Sequence, residues 1–218
     1  MMRGALSRDD MARRAAQDIP EGAYVNLGIG LPTRVANFLP TDREIILHTE
    51  NGMLGMGPPP ADGQAIDPDL INAGKIPVTE LPGASYFHHA DSFGMMRGGH
   101  LDICVLGAFQ VSTSGDLANW HTGGEDAIPA VGGAMDLAIG AKQVFVIMEL
   151  FTREGQCKLV DECTYPLTGI GCVNTVYTDH AVFDLSVRGV VVRELFGDVT
   201  LGQLEARTGL RLQLQSVG

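Results

Sequence analysis

Apolar positions recur along this chain in two rhythms, one helical and one extended. Near the amino end, Met11, Ala12, Ala15, Ala16 and Ile19 fall on one face of a 3.6-residue period. Ser7 can cap that run, Asp9 and Asp10 suit the positive first turn, and Pro20-Glu21-Gly22 ends it. A short apolar strand is predicted over 24–27 and a helix over 33–38, joined by the glycine-rich residues 28–32. A second strand, over 44–48, ends at Thr49-Glu50-Asn51-Gly52. Residues 52–69 are rich in Gly, Pro and Asp and read as an ordered loop. Further strands are predicted over 78–81, 101–106, 143–148, 171–176, 181–185 and 190–195, with helices over 91–97 and 135–141. A last helix starts at the capping-box pattern Thr200-Leu201-Gly202-Gln203 and stops at Gly209.

The strands over 101–106 and 143–148 are almost unbroken apolar runs. Strands covered on both faces read this way, so the fold class is α/β: a mostly parallel or mixed sheet flanked by helices. No internal repeat, low-complexity tract or linker divides residues 1–218, which are read as one domain.

Composition narrows the partners. With 15 basic and 26 acidic residues the net charge is −11, and no Lys/Arg cluster stands out, so nucleic acid and anionic membranes are not expected to bind. The ten-residue amino terminus lacks an apolar core, and no run of about 18 apolar residues exists, so neither a signal sequence nor a membrane span is predicted. Cys104, Cys157, Cys163 and Cys172 form neither a CxxC pair nor a metal-ligand pattern. A cytoplasmic protein with free thiols and no metal is the expectation.

Three segments carry candidate chemistry. Asn26-Leu27-Gly28-Ile29-Gly30-Leu31-Pro32 follows a strand, and Gly28 and Gly30 would let a ligand approach the backbone. It matches neither a dinucleotide fingerprint nor a P-loop, and alone it also fits an ordinary strand-to-helix turn. Glu50-Asn51-Gly52 places a carboxylate just past a strand, with glycines after it that leave room for a bulky partner. A carboxylate is already ionised near neutral pH and needs no base to act as a nucleophile, although a solvated surface glutamate would read the same way. Val131-Gly132-Gly133-Ala134-Met135-Asp136 opens a helix, whose free N–H groups could stabilise an oxyanion or simply start the helix.

Together with Asp69-Leu70-Ile71-Asn72-Ala73-Gly74-Lys75, Met96-Arg97-Gly98-Gly99-His100, Gly115-Asp116-Leu117-Ala118-Asn119-Trp120 and Pro166-Leu167-Thr168-Gly169, these segments resemble the family I CoA-transferases. The resemblance is to the β subunit, or C-terminal half, of the 3-oxoacid CoA-transferases, and runs from about residue 6 to 214. It implies that Glu50 is a nucleophile which forms an acyl-glutamyl anhydride and then a glutamyl-CoA thioester. It also implies an oxyanion donor at the Gly133 N–H, Asn26 beside the nucleophile, and Lys75 near it or the CoA. Gly28, Gly30, Asn51 and Gly132 would line the substrate site. No cofactor is implied, since the CoA thioester is a substrate. An α subunit, in an αβ or α2β2 assembly, would complete the site.

Within the family, Phe87-His88-His89-Ala90-Asp91-Ser92-Phe93 and Trp120-His121-Thr122-Gly123 resemble the members that move CoA from succinyl-CoA to 3-oxoadipate in aromatic-compound degradation. A dicarboxylate carries a distal charge that must find donors, and His88 and His89 could supply them. The same residues could instead serve packing or subunit contact. Acetoacetate is the alternative acceptor. A remote alternative is a ligand-sensing module, since related sheets serve in sugar-phosphate isomerases and regulators. His48, His100 and His180 have no second His or Cys at ligand spacing and are assigned no role.

Overall fold

Ser7 caps the first helix as its sequence suggests: its side chain accepts from the Asp10 N–H. The helix, α1 (Arg8–Gln17), buries Met11, Ala12, Ala15 and Ala16. The computed structural model describes residues 5–123, 130–186 and 189–215, so residues 1–4 of the amino-terminal stretch lie outside it. After α1 come strand β1 (Tyr24–Leu27), a 3-10 helix (Leu31–Phe38), β2 (Ile46–Thr49), β3 (Met53–Met56) and β4 (Glu80–Tyr86). Next are α2 (His89–Arg97), β5 (Ile103–Leu106), β6 (Gln110–Ser112), β7 (Leu117–Ala118), α3 (Ala134–Gly140), β8 (Gln143–Ile147) and β9 (Leu159–Val160). The chain continues with β10 (Val173–Tyr177), β11 (Ala181–Ser186), β12 (Gly189–Leu195), α4 (Leu201–Thr208) and β13 (Leu212–Leu214).

Among the described residues, ten strands form one sheet in the order β13-β12-β11-β10-β8-β5-β1-β2-β3-β4. The middle of it, β10-β8-β5-β1-β2, is parallel. The predicted mixed α/β sheet is therefore present. Successive side chains of its central strands go to opposite faces. Cys104, Leu106, Val144 and Val146 join a core with α2, α3, α4 and the small sheet β7-β6-β9. Ile103, Val105, Phe145 and Ile147 join a second core under α1 and the 3-10 helix. This double cover explains the unbroken apolar runs.

Several expectations need correction. Residues 53–56 are a strand inside the stretch read as a loop; Met53 and Leu54 pair with Thr49 and His48 of β2. The predicted helix over 33–38 is a 3-10 helix that begins earlier, with Pro in its first turn. The strand predicted over 78–81 lies instead at 80–86, on the sheet edge, where Pro82 costs no interior ladder bond. The strands β6, β7, β9 and β13 have no counterpart in the prediction; each is two or three residues long.

The topology sets the site. Strand β1 lies between β2, which follows it, and β5, which comes much later. The chain thus leaves β1 to one side and later returns on the other. Such a switch point opens a crevice at the carboxyl ends of the strands.

Candidate active site

Glu50 stands at the tip of a hairpin. Strand β2 ends at Thr49, β3 begins at Met53, and the Gly52 N–H donates to the Thr49 carbonyl at 3.0 Å. A three-residue hairpin loop of this kind needs a left-handed third residue, and Gly52 supplies it with φ 118°. Gly52 is also pressed against Phe87, whose N–H donates to the Gly52 carbonyl at 3.0 Å; a Cβ at Gly52 would collide with the Phe87 carbonyl. The Glu50 turn is therefore fixed both by its own geometry and by the segment entering α2.

The Glu50 carboxyl is half-buried and faces Gly133. A Cβ at Gly133 would lie 2.5 Å from the Glu50 carboxyl carbon. Gly133 caps α3, and its carbonyl accepts from the Leu137 N–H at 3.0 Å. Its own N–H has no hydrogen-bond partner among the described residues. The Glu50 carboxyl thus packs against the backbone of a residue whose N–H is open among the described residues. The Glu50 carboxylate likewise makes no hydrogen bond or ion pair among the described residues. Burial raises its pKa above the ordinary value; the charge of His89 pulls it down and that of Asp136 pushes it up. Asp136, in the first turn of α3, is itself paired with Arg97 at 2.6 Å.

Near Glu50 lies a buried polar group that joins Asn26, expected at the site from its motif, to His48, which no motif singles out. Asn26, on β1, is 3% exposed, and its Nδ2 lies 3.0 Å from His48 Nδ1 and 3.2 Å from the His48 carbonyl oxygen. His48 Nε2 lies 3.0 Å from Ser92 Oγ. Burial pushes the His48 pKa down to about 4, so the ring is neutral. The one sequence signal for His48 is its position on β2, two residues before Glu50. Metal-ligand spacing could not detect it.

The remaining candidates frame a cleft of about 1380 Å³, lined among others by Asn26, Gly28, Glu50, Asn72, Gly132 and Gly133. Gly28 is needed where β1 meets β5: its N–H donates to the Val105 carbonyl at 2.8 Å, and a Cβ would come within 3.1 Å of that same oxygen. Gly30 and Gly132 hold left-handed backbone, φ 94° and 56°. Asn51 does not face an open site; its Nδ2 donates to the Ile71 carbonyl at 2.8 Å and ties the Glu50 turn to the loop at 71–76. Lys75 is exposed on that loop, with an unusual left-handed backbone for a non-glycine residue (φ 61°). Its neighbours Gly74 and Ile76, but not Lys75 itself, line the cleft.

His88 and His89 are both exposed and neither lines the cleft. His88 caps α2, its Nδ1 accepting from the Ala90 N–H at 3.1 Å, which leaves only its Nε2–H as a donor. His89 stacks on Phe93 with ring centroids 5.0 Å apart. Two other segments singled out in the sequence pack on each other. Thr168 Oγ1 donates to Asn119 Oδ1 at 2.6 Å, and Trp120 Nε1 donates to the Leu167 carbonyl at 3.2 Å. They form the scaffold that brings Asn119 to the cleft wall. No helix among the described residues is long and apolar enough to cross a membrane.

Comparison with known proteins places the chain in a family. The model of the coenzyme A transferase family matches residues 8–194. The chain is 64% identical over 207 residues to one of the 3-oxoadipate CoA-transferase subunits of Pseudomonas putida, covering 95% of this chain and 96% of that one. It is 48% identical to one of the succinyl-CoA:3-ketoacid coenzyme A transferase subunits of Helicobacter pylori, covering 95% of this chain and 99% of that one. In fold it resembles the crystal structure of an acyl-CoA transferase from Escherichia coli O157:H7. The TM-score is 0.73 at 20% identity, over 97% of this chain and 42% of that one.

Proposed function

The chain belongs to the coenzyme A transferase family, and on that premise we propose that it moves CoA from succinyl-CoA to 3-oxoadipate with Glu50 as the covalent carrier. A CoA-transferase of this kind works by exchange at one carboxylate. A Glu50 oxygen attacks the succinyl thioester carbonyl; the C–S bond breaks, giving a succinyl-glutamyl anhydride and CoA thiolate. The thiolate attacks the Glu50 carbonyl carbon and expels succinate, leaving glutamyl-CoA. A carboxylate of 3-oxoadipate attacks that thioester, releasing thiolate and forming a second anhydride. The thiolate then attacks the oxoadipyl carbonyl, which releases 3-oxoadipyl-CoA and restores Glu50.

The observation that carries this reading is the contact between Glu50 and Gly133. Every step passes through a tetrahedral oxyanion, and preorganised donors stabilise such charge most effectively. The Gly133 N–H, without a partner among the described residues and on a residue packed against the Glu50 carboxyl, would be one. Partial burial supports the same role, because a carboxylate with thinner hydration is a stronger nucleophile. The acceptor assignment is supported by the 64% identity to the 3-oxoadipate relative, against 48% for the 3-ketoacid relative. His89, outside the cleft lining but near enough for its charge to act on Glu50, would meet the distal carboxylate of the acceptor, which acetoacetate lacks. Lys75, on the cleft rim, would meet an anionic group of CoA.

The relatives are named as single subunits of larger enzymes, which supports an α subunit as partner, in an αβ or α2β2 assembly that closes the open cleft. The reducing cytoplasm suits the four unpaired cysteines. The test is to co-express the chain with an α-type subunit and assay succinyl-CoA with 3-oxoadipate and with acetoacetate. The purified complex should be active with a higher kcat/KM for 3-oxoadipate, and the lone chain inactive. Preference for acetoacetate would overturn the acceptor assignment, and full activity of the lone chain would overturn the partner.

A further inference from the structure

His48 is buried in the wall of the cleft: it is 2% exposed, and Phe87 stacks on its ring with centroids 6.0 Å apart and planes 17° from parallel. Its ring nitrogens face Asn26 on one side and Ser92 on the other, each at 3.0 Å. Which nitrogen carries the proton follows from a third contact. The Asn26 amide atom that faces Nδ1 also lies 3.2 Å from the His48 carbonyl oxygen. A carbonyl only accepts, so that amide atom is the NH2 nitrogen and not the oxygen. Both Asn26 hydrogens are then donated to His48, one to its carbonyl and one to Nδ1. The ring proton must sit on Nε2, and Nε2–H donates to Ser92 Oγ. The Ser92 hydroxyl keeps its own hydrogen, and its oxygen lies 3.5 Å from the Thr49 carbonyl oxygen.

One directed chain therefore runs from Asn26 on β1, through His48 on β2 and Ser92 on α2, to the carbonyl of Thr49. That carbonyl belongs to the peptide group whose nitrogen is Glu50. The chain joins three elements and ends on the residue before Glu50, and both ring nitrogens are consumed by protein partners. We propose that His48 is a positioning residue: its neutral Nε2–H form locks β1, β2 and α2 together and so holds the Glu50 carboxyl against Gly133 without touching substrate. Burial keeps the ring neutral down to about pH 4, so the lock stays closed wherever Glu50 is ionised. The inference rests on the reading of Glu50 as the nucleophile.

The test uses the enzyme assembled with its α-type subunit. The variants are His48→Leu, His48→Gln, Ser92→Ala and the double variant His48→Leu/Ser92→Ala. Read out kcat and KM for both substrates, thermal midpoint, and the Glu50 adduct formed from acyl-CoA. A reacting group misplaced by ~1 Å loses on the order of 100-fold in rate. His48→Leu should therefore lower kcat by roughly 10- to 100-fold, with KM changed less than about twofold. His48→Gln keeps one donor and should recover much of the loss. Ser92→Ala should lower kcat alone but add little to His48→Leu, because both break one chain. In 15N-labelled wild type, His48 should show the Nε2–H signature from neutral pH down to about pH 5. A wild-type kcat in Ser92→Ala or His48→Gln accompanied by a wild-type kcat in His48→Leu overturns the proposal, as does an Nδ1–H ring. If His48→Leu does not assemble, Ser92→Ala decides alone, and unchanged kcat there overturns it. Wild-type turnover without a Glu50 adduct would instead refute the nucleophile, and the positioning role with it.

Discussion

Gly133→Ala should stop the chemistry while leaving the fold intact. Gly133 has φ −77° and ψ −1°, a conformation that alanine adopts without strain. At such a position a Gly→Ala change stabilises the folded chain by about 0.4–1 kcal/mol, through the unfolded state. The new methyl, however, would lie 2.5 Å from the Glu50 carboxyl carbon and 2.9 Å from Oε1. Carbon atoms pack at about 3.5–4.0 Å, so the carboxyl must retreat by ~1 Å. That displacement costs on the order of 100-fold in rate, or about 2.7 kcal/mol at 1.36 kcal/mol per decade. Steady-state kinetics of the assembled variant, beside its thermal midpoint, give both numbers. A large fall in kcat with an equal or higher midpoint is the expected result. Activity within about threefold of wild type, at an unchanged midpoint, would refute the reasoning, because the carboxyl could not then work against Gly133.

Two further predictions address charge. If Glu50 is the nucleophile it must act as the carboxylate, and burial raises its pKa, so activity should fall with acid at a pH above the ordinary carboxyl value of 4.5. His89→Gln removes a charge that pulls this pKa down, and should move the acid limb of kcat/KM up; Asp136→Asn should move it down. A limb that neither variant moves would place Glu50 outside their reach. The two neighbouring histidines should also separate by substrate. His89→Ala should cost 3-oxoadipate roughly 1.5–3 kcal/mol in kcat/KM, the range for a hydrogen bond to a charged group, and acetoacetate much less. His88→Ala should instead lower the thermal midpoint, since it removes a helix cap worth about 1 kcal/mol. Equal loss on both substrates in His89→Ala would make that residue structural too.

The parts of the fold legible in the sequence are those fixed by local rules. Ser7, Thr200 and Gly209 mark helix ends because each meets a backbone group within a few residues. The runs at Ile103–Leu106 and Gln143–Ile147 mark central strands because both faces are covered. Strand β3 is hidden, since its Gly55 and the glycine and proline after it give a loop composition, while its pairing with β2 is a tertiary fact. The small sheet is hidden for a related reason: β7 and β9 are two residues long and have no period to read. In the site, Glu50 and Gly133 are identified by motif, but their contact spans 83 positions (133 − 50) and is set only by the parallel sheet. His48 escapes notice in the sequence because its role depends on Asn26 and Ser92, which the fold brings to it from β1 and α2. Asn51 is expected to line the substrate site, yet its side chain braces a loop, a use that spacing cannot reveal.

The claim at the centre is that Glu50 carries CoA. Incubate the assembled enzyme with succinyl-CoA alone, reduce with borohydride, digest, and map the altered residue by mass spectrometry. A thioester on Glu50 should be reduced to the alcohol, so the peptide containing residues 50–52 should carry the only new mass, and Glu50→Ala should show neither the mass nor turnover. An unmodified Glu50 in an enzyme that is turning over, or wild-type activity in Glu50→Ala, would contradict the account.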